Sequence, residues 1–287
     1  MKLLIEILAH ESHVNGVHFN QEGTEFLSLG MDNVVKVWRV GDWEQVGEFA
    51  GHDKSVNALS FTPDGTKFYT ASSDDSVKLW DYASCEILED YPKMGKNLLL
   101  SQDGKTLSVG YRKKVQVYDV PSMQKRFVVD AHGKQTHAYV FSPDSTKLVT
   151  GGMDPLIHIW DVESGEKVNT LEGNTELVMK IVYAPGGNFI TSIAYDGKLL
   201  RWDKGNPEPR LLHQLPKGGY PHQTISPDGR KIALSHDHKI TLVDADSGEM
   251  LNEMKLKPKG VYGMQFSPDG KMLANAAADK RVRVFEL

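Results

Sequence analysis

The chain alternates short apolar runs with turn signals at a regular spacing. Within residues 51–81 three β-runs stand out, Val56–Phe61, Lys67–Ala71 and Val77–Trp80, and a fourth follows around Glu86–Leu88. Thr62-Pro63-Asp64-Gly65 and Ser73-Asp74-Asp75-Ser76 separate them. Proline presets φ for a turn and glycine accepts the positive φ of a tight hairpin, so the runs predict one antiparallel sheet. A single sheet of this kind cannot bury both of its faces and depends on stacked neighbours.

The neighbours are copies of the same unit. Trp80 has equivalents at Trp38, Tyr118, Trp160, Trp202, Val243 and Phe285, in steps of 42, 38, 42, 42, 41 and 42 residues along the chain. The middle turn recurs as Asn20-Gln21-Glu22-Gly23, Ser101-Gln102-Asp103-Gly104, Ser142-Pro143-Asp144-Ser145, Ala184-Pro185-Gly186-Gly187, Ser226-Pro227-Asp228-Gly229 and Ser267-Pro268-Asp269-Gly270. No linker separates the seven copies, which reads as one domain over residues 1–287. The last copy stops after its third strand, Arg281–Phe285, while Leu3–Leu8 precedes the first copy without partners. Pairing the two completes the seventh sheet and removes a bare edge that invites aggregation.

The Gly51-His52 opening, the Ser-Pro-Asp-Gly turn, the lone turn aspartate and the closing Trp-Asp resemble the WD-repeat β-propeller family. Trp-Asp occurs as Trp80-Asp81, Trp160-Asp161 and Trp202-Asp203, with Tyr118-Asp119 and Trp38-Arg39 as variants. The resemblance covers essentially the whole chain. It implies an all-β fold, a seven-bladed β-propeller of four-stranded antiparallel blades around a central channel. The ring would be closed by the N-terminal strand pairing with the last blade. The copies are unequal. The third is shorter and carries Arg112-Lys113-Lys114 in place of a lone aspartate. The fifth has a longer connection, Lys204-Gly205-Asn206-Pro207-Glu208-Pro209, and the sixth and seventh lack the opening histidine and the tryptophan.

Charge and cysteine content narrow the function. A formal net charge of −5 gives no general attraction for nucleic acid or an anionic membrane. Cys85 is the single cysteine, which excludes an internal disulfide framework and a cysteine-based zinc cluster. Glu6 interrupts an N-terminal apolar stretch too short for a signal peptide, and no run approaches the roughly 20 apolar residues of a membrane span. A soluble, cytoplasmic protein is expected, with a monomer as the default.

His52, Thr70, Asp74 and Trp80 sit where the family places a hydrogen-bonded tetrad inside each blade. Read alone, histidine with a hydroxyl and a carboxylate looks like a nucleophilic triad. Equivalent sets occur as His10, Ser28, Asp32, Trp38 and as His132, Thr150, Asp154, Trp160. Three identical internal braces are expected where three catalytic sites are not, because a buried polar group needs a partner. The fifth copy keeps Asp196 and Trp202 with Asn174 for histidine, and blades 3, 6 and 7 should be less braced. His236-Asp237-His238 with His222 suggests a histidine metal site only faintly, since Asp237 holds the ordinary turn position. Arg112-Lys113-Lys114, Lys255-x-Lys257-x-Lys259 and Arg281-x-Arg283 read as solvated or blade-edge positions. No enzyme, cofactor or metal is expected.

The strongest functional signal lies in two positions compared across the copies. In propellers of this family, partners commonly dock on the narrow face over the channel mouth. The residue before each turn aspartate there reads Met31, Ser73, Tyr111, Met153, Tyr195, His236 and Ala278. The residue after the first-strand opening reads Asn15, Asn57, Lys96, His137, Met179, Pro221 and Tyr262, and the one before it begins with His13. Tyrosine and methionine are enriched in interface cores. The expected function is a non-enzymatic protein- or peptide-binding scaffold with Met31, Tyr111, Met153, Tyr195, His236 and Tyr262 as anchors and His13 and His137 nearer the channel. The alternative is a propeller enzyme or small-molecule-binding protein with a site in the channel.

Overall fold

A computed structural model describes residues 1–111, 113–133, 135–256 and 260–287. Among them 28 strands, β1 (Lys2–Leu8) to β28 (Arg281–Glu286), form seven four-stranded antiparallel sheets and no helix. This is the seven-bladed β-propeller that the repeat predicts. Six sheets take their strands in chain order, and the seventh runs β1, β28, β27 (Met272–Ala277), β26 (Val261–Phe266). The N-terminal strand thus pairs with the last blade, with Lys2 opposite Glu286 and Leu8 opposite Arg281.

The repeated turn explains why the strands begin where they do. Ser101, Ser142, Ser226 and Ser267 each donate a side-chain hydrogen bond of 2.5–2.6 Å to the aspartate two residues on. That aspartate accepts the N–H two residues later, which fixes the reversal before the second strand. The fourth copy has Ser145 where its neighbours have glycine, and Ser145 takes the positive φ of 59° itself. The fifth copy has Ala184 and Gly186 in place of the serine and aspartate, and makes neither bond.

The chain groups into two compact units, Met1–Leu100 with the described residues of Lys257–Leu287, and Ser101–Leu256. The core of the first comprises apolar clusters between neighbouring sheets, such as Val14, Phe26 and Trp38 with Val282 and Val284. A second cluster joins Leu27, Val35 and Phe49 to Val56, Phe68 and Trp80. In the second unit, Val149, Ile157 and Leu171 pack on Val178, Ile181 and Trp202. These apolar side chains therefore join one sheet to the next, as stacked repeats require.

Candidate functional site

Three blades contain the complete brace. Trp38 donates its indole N–H to Ser28 Oγ (2.9 Å), the Ser28 hydroxyl donates to His10 Nε2 (2.7 Å), and His10 Nδ1 donates to Asp32 (2.8 Å). Trp80, Thr70, His52 and Asp74 repeat this at 2.7, 2.7 and 2.9 Å. Trp160, Thr150, His132 and Asp154 repeat it at 2.9, 3.2 and 2.9 Å. At His10 and His52 these bonds suit a neutral imidazole with its proton on Nδ1. Burial supplies that by lowering the His10 and His52 pKa values against the pull of Asp32 and Asp74. Asp74 is itself partly buried, which opposes ionisation, yet bonds from Ser76, His52 and the Asp53 N–H hold its carboxyl well below the usual range. The three hydroxyls are fully buried and engaged on both sides, so no substrate reaches them.

The fifth blade breaks the pattern. The Ser192 hydroxyl donates to Asn174 Oδ1 (2.9 Å), and Asp196 accepts instead from the Thr175 hydroxyl (2.6 Å). The shorter asparagine cannot bridge hydroxyl and carboxylate as histidine does, and Trp202 Nε1 and Asn174 Nδ2 are buried without a hydrogen bond.

The seventh blade corrects an expectation. Arg283 is neither solvated nor a free blade-edge residue: it is 2% exposed. Its Nε donates to Glu6 Oε2 on β1 (2.5 Å) and its guanidinium pairs with Asp279. A charge network spanning the N-terminal strand thus stands where three of the other blades have a tetrad. Arg281 lies at 3.4 Å from Glu6 and is half-buried. Of the other basic runs, Lys113, Lys114 and Lys255 are exposed, and Arg112, Lys257 and Lys259 lie outside the described residues. Among the described residues no three His, Cys, Asp or Glu side chains gather as a metal-binding group.

The expected partner-binding residues fall into separate local groups. A common backbone bond positions three of them: the N–H of the residue before the turn aspartate donates to the carbonyl 18 residues upstream, from Met31 to His13, Met153 to Gln135 and Tyr195 to Leu177 (2.9–3.0 Å). In the first unit this brings Met31 beside His13, whose ring lies 5.8 Å from that of Tyr262. Met31 and Tyr262 are exposed.

In the second unit Met153 is exposed, and its bond to Gln135 sets it beside the start of β14 (Thr136–Phe141), which carries the exposed His137. Tyr195 and His236 meet at one turn. Tyr195 O accepts the Gly218 N–H (3.0 Å), and His236 Nε2 donates to Gly218 O (2.9 Å). Gly219, at φ +71°, packs so closely that a Cβ there would lie 3.3 Å from the His236 ring. Lys217 pairs with Glu176 at 2.7 Å. His236 is only 8% exposed and acts as the support of this turn; the surface it presents is Tyr220, 76% exposed. The half-buried Tyr111 stands opposite Lys114 in its hairpin.

Comparison with known proteins adds the family context. The profile described as WD domain, G-beta repeat matches residues 1–39, 43–81, 123–161, 165–203 and 249–286. The chain is 28% identical over 196 residues to the nuclear distribution protein PAC1 of Arthroderma otae, covering 63% of this chain and 42% of that protein. It is 26% identical over 184 residues to the transcriptional corepressor LEUNIG_HOMOLOG of Arabidopsis thaliana, covering 62% and 23%. It is 35% identical over 91 residues to protein Atg16l2 of Mus musculus, covering 31% and 14%. The chain spans less than half the length of each of these relatives.

Proposed function

From the premise that the chain belongs to the WD domain, G-beta repeat family, we propose that it is a non-enzymatic scaffold that binds a protein or peptide partner. Two aromatic and methionine patches carry the binding, one in each unit. The first is Met31, His13 and Tyr262. The second centres on Tyr195 and Tyr220 over the Lys217–Gly219 turn, with His236 as its support and with Met153, His137 and Tyr111 as further contacts.

The observation that carries this reading is Tyr220. A large aromatic ring is held out to solvent on a turn whose Gly218 N–H and C=O are bonded to Tyr195 and His236. Exposing such a ring has a hydration cost, and fastening the turn beneath it removes the ordering cost of binding. No helix among the described residues is long and apolar enough to cross a membrane, and we place the scaffold in the cytoplasm.

The test is affinity capture from the native host with mass spectrometry, comparing wild type with a Tyr195→Ala, Tyr220→Ala, Tyr262→Ala variant of matched melting temperature. A partner retained by the wild type and lost by the variant supports the reading. A partner retained equally by both removes the patches from it.

A further inference from the structure

Inside the second unit, a cavity of about 750 Å³ opens between the fourth and fifth sheets. Its apolar wall is formed by Ile159, Leu171, Tyr183, Phe189, Ile190 and Trp202. Two departures of the fifth copy from the repeat border this space. Ala184-Pro185-Gly186-Gly187 replaces the serine and aspartate side chains that fill the turn elsewhere, and Gly186 and Gly187 line the cavity. The longer connection after Trp202 supplies Lys204, Gly205, Asn206 and Pro207 to the same wall. Trp202 Nε1 makes no hydrogen bond to the Ser192 hydroxyl, whose equivalents hold Trp38, Trp80 and Trp160.

The charges at the rim balance. Asp144, Lys147, Asp203 and Lys204 give two of each sign. Lys147 pairs with Asp161 at 2.7 Å and Asp203 with Arg201 at 2.6 Å. Asp144 Oδ1 takes the hydroxyls of Ser142 and Thr146, and Lys204 attracts what remains of its charge. An ionic ligand entering this space would give up its hydration with no unbalanced charge to receive it. Tyr183, Asn169 and Asn206 supply neutral polar groups instead. The volume lies in the range that encloses most of a drug-sized molecule.

We propose that this cavity is a binding site for an uncharged, largely aromatic small molecule, separate from the protein-binding patches. The probe is N-phenyl-1-naphthylamine, which brightens in apolar surroundings, compared with its 8-sulfonate, which differs by one negative charge. Two variants fill the space. At Gly186 a Cβ would meet only the Asn188 side chain at 3.6 Å and the backbone is not in the left-handed region, so Gly186→Phe can be introduced there, and Asn169→Trp enters from the exposed outer strand.

The expected result is saturable binding of one uncharged probe per chain. The sulfonate should bind at least about tenfold more weakly, and both variants should lose probe affinity by a similar factor with unchanged melting. Absence of saturable binding to the wild type overturns the proposal. So does wild-type affinity in a variant that melts normally, and either variant suffices if the other fails to fold. Equal affinity for the sulfonate overturns the assignment to an uncharged ligand.

Discussion

Replacing Arg283 by methionine tests the brace of the seventh blade. Methionine keeps a flexible apolar stem but deletes every N–H of the guanidinium. Asp279, whose side chain is 9% exposed, then keeps only the longer ion pair with Arg281 at 3.9 Å, while Glu6 at 36% can turn to water. Removing one partner of a buried ion pair costs roughly 3–5 kcal/mol, and the freedom of Glu6 places the loss near about 3 kcal/mol. The side chain of Asn275, buried in the same sheet, makes no hydrogen bond that could take over. Equilibrium urea denaturation reads this loss as a shift of midpoint at constant slope. Adding Asp279→Asn removes the stranded charge and should return about 1–2 kcal/mol. A loss below about 1 kcal/mol is what a surface arginine gives, and would refute the brace. A double variant no more stable than Arg283→Met would show that the stranded carboxylate is not the cause.

Deleting residues 1–9 removes the outer strand of the seventh sheet along with Glu6, and should lower the melting temperature strongly; a truncated chain that melts like the full one contradicts this. Thr70→Val leaves Trp80 Nε1 and His52 Nε2 without their shared hydroxyl and should cost about 1–3 kcal/mol in the same urea titration. Asn174→His supplies the ring that the fifth blade lacks and should raise stability by about 0.5–2 kcal/mol, with no gain if Asp196 keeps its Thr175 bond. His10 and His52 have folded pKa values below the ordinary 6.5, so the unfolded chain binds more protons just below that pH. Stability is therefore full above about 6.5 and falls as pH drops through the folded values, followed by a further loss below the ordinary 3.8 as Asp74 protonates. Melting curves between pH 7.5 and 5 would show a falling midpoint, and a constant one would contradict the neutral rings.

The strands and braces were legible because the chain writes them several times. Val56–Phe61 is β6 as read, and the neighbouring runs differ from β7 (Lys67–Ser72) and β8 (Val77–Asp81) by one residue. The brace histidines could be told from catalytic ones by their recurrence at one spacing. Arg283 was misread because its partner Glu6 lies 277 residues away, and an arginine alternating along a strand has the same local pattern whether solvated or buried. Arg201 was missed for a related reason: it lies over Phe189 at 3.7 Å and bonds to Asp246, 45 residues on. Tyr220 falls where Val14, Val56, Val178 and Val261 open their first strands and are buried. In the sixth copy Gly218 and Gly219, both at positive φ, precede it and the strand begins later, at His222. A repeat alignment by itself therefore carries no sign that this ring is exposed.

The pairing of β1 with β28 has a consequence for biosynthesis. Strand β1 finds its partner only when residues about 280 positions later have been made, roughly 15–60 s afterwards at ordinary ribosomal rates. Through that interval Leu3, Leu4, Ile5 and Ile7 form an unpaired apolar ribbon on the nascent chain. The wait exposes it to strands from other polysomal chains, and a chaperone that shields this strand as it emerges would raise the yield of this protein more than its final stability.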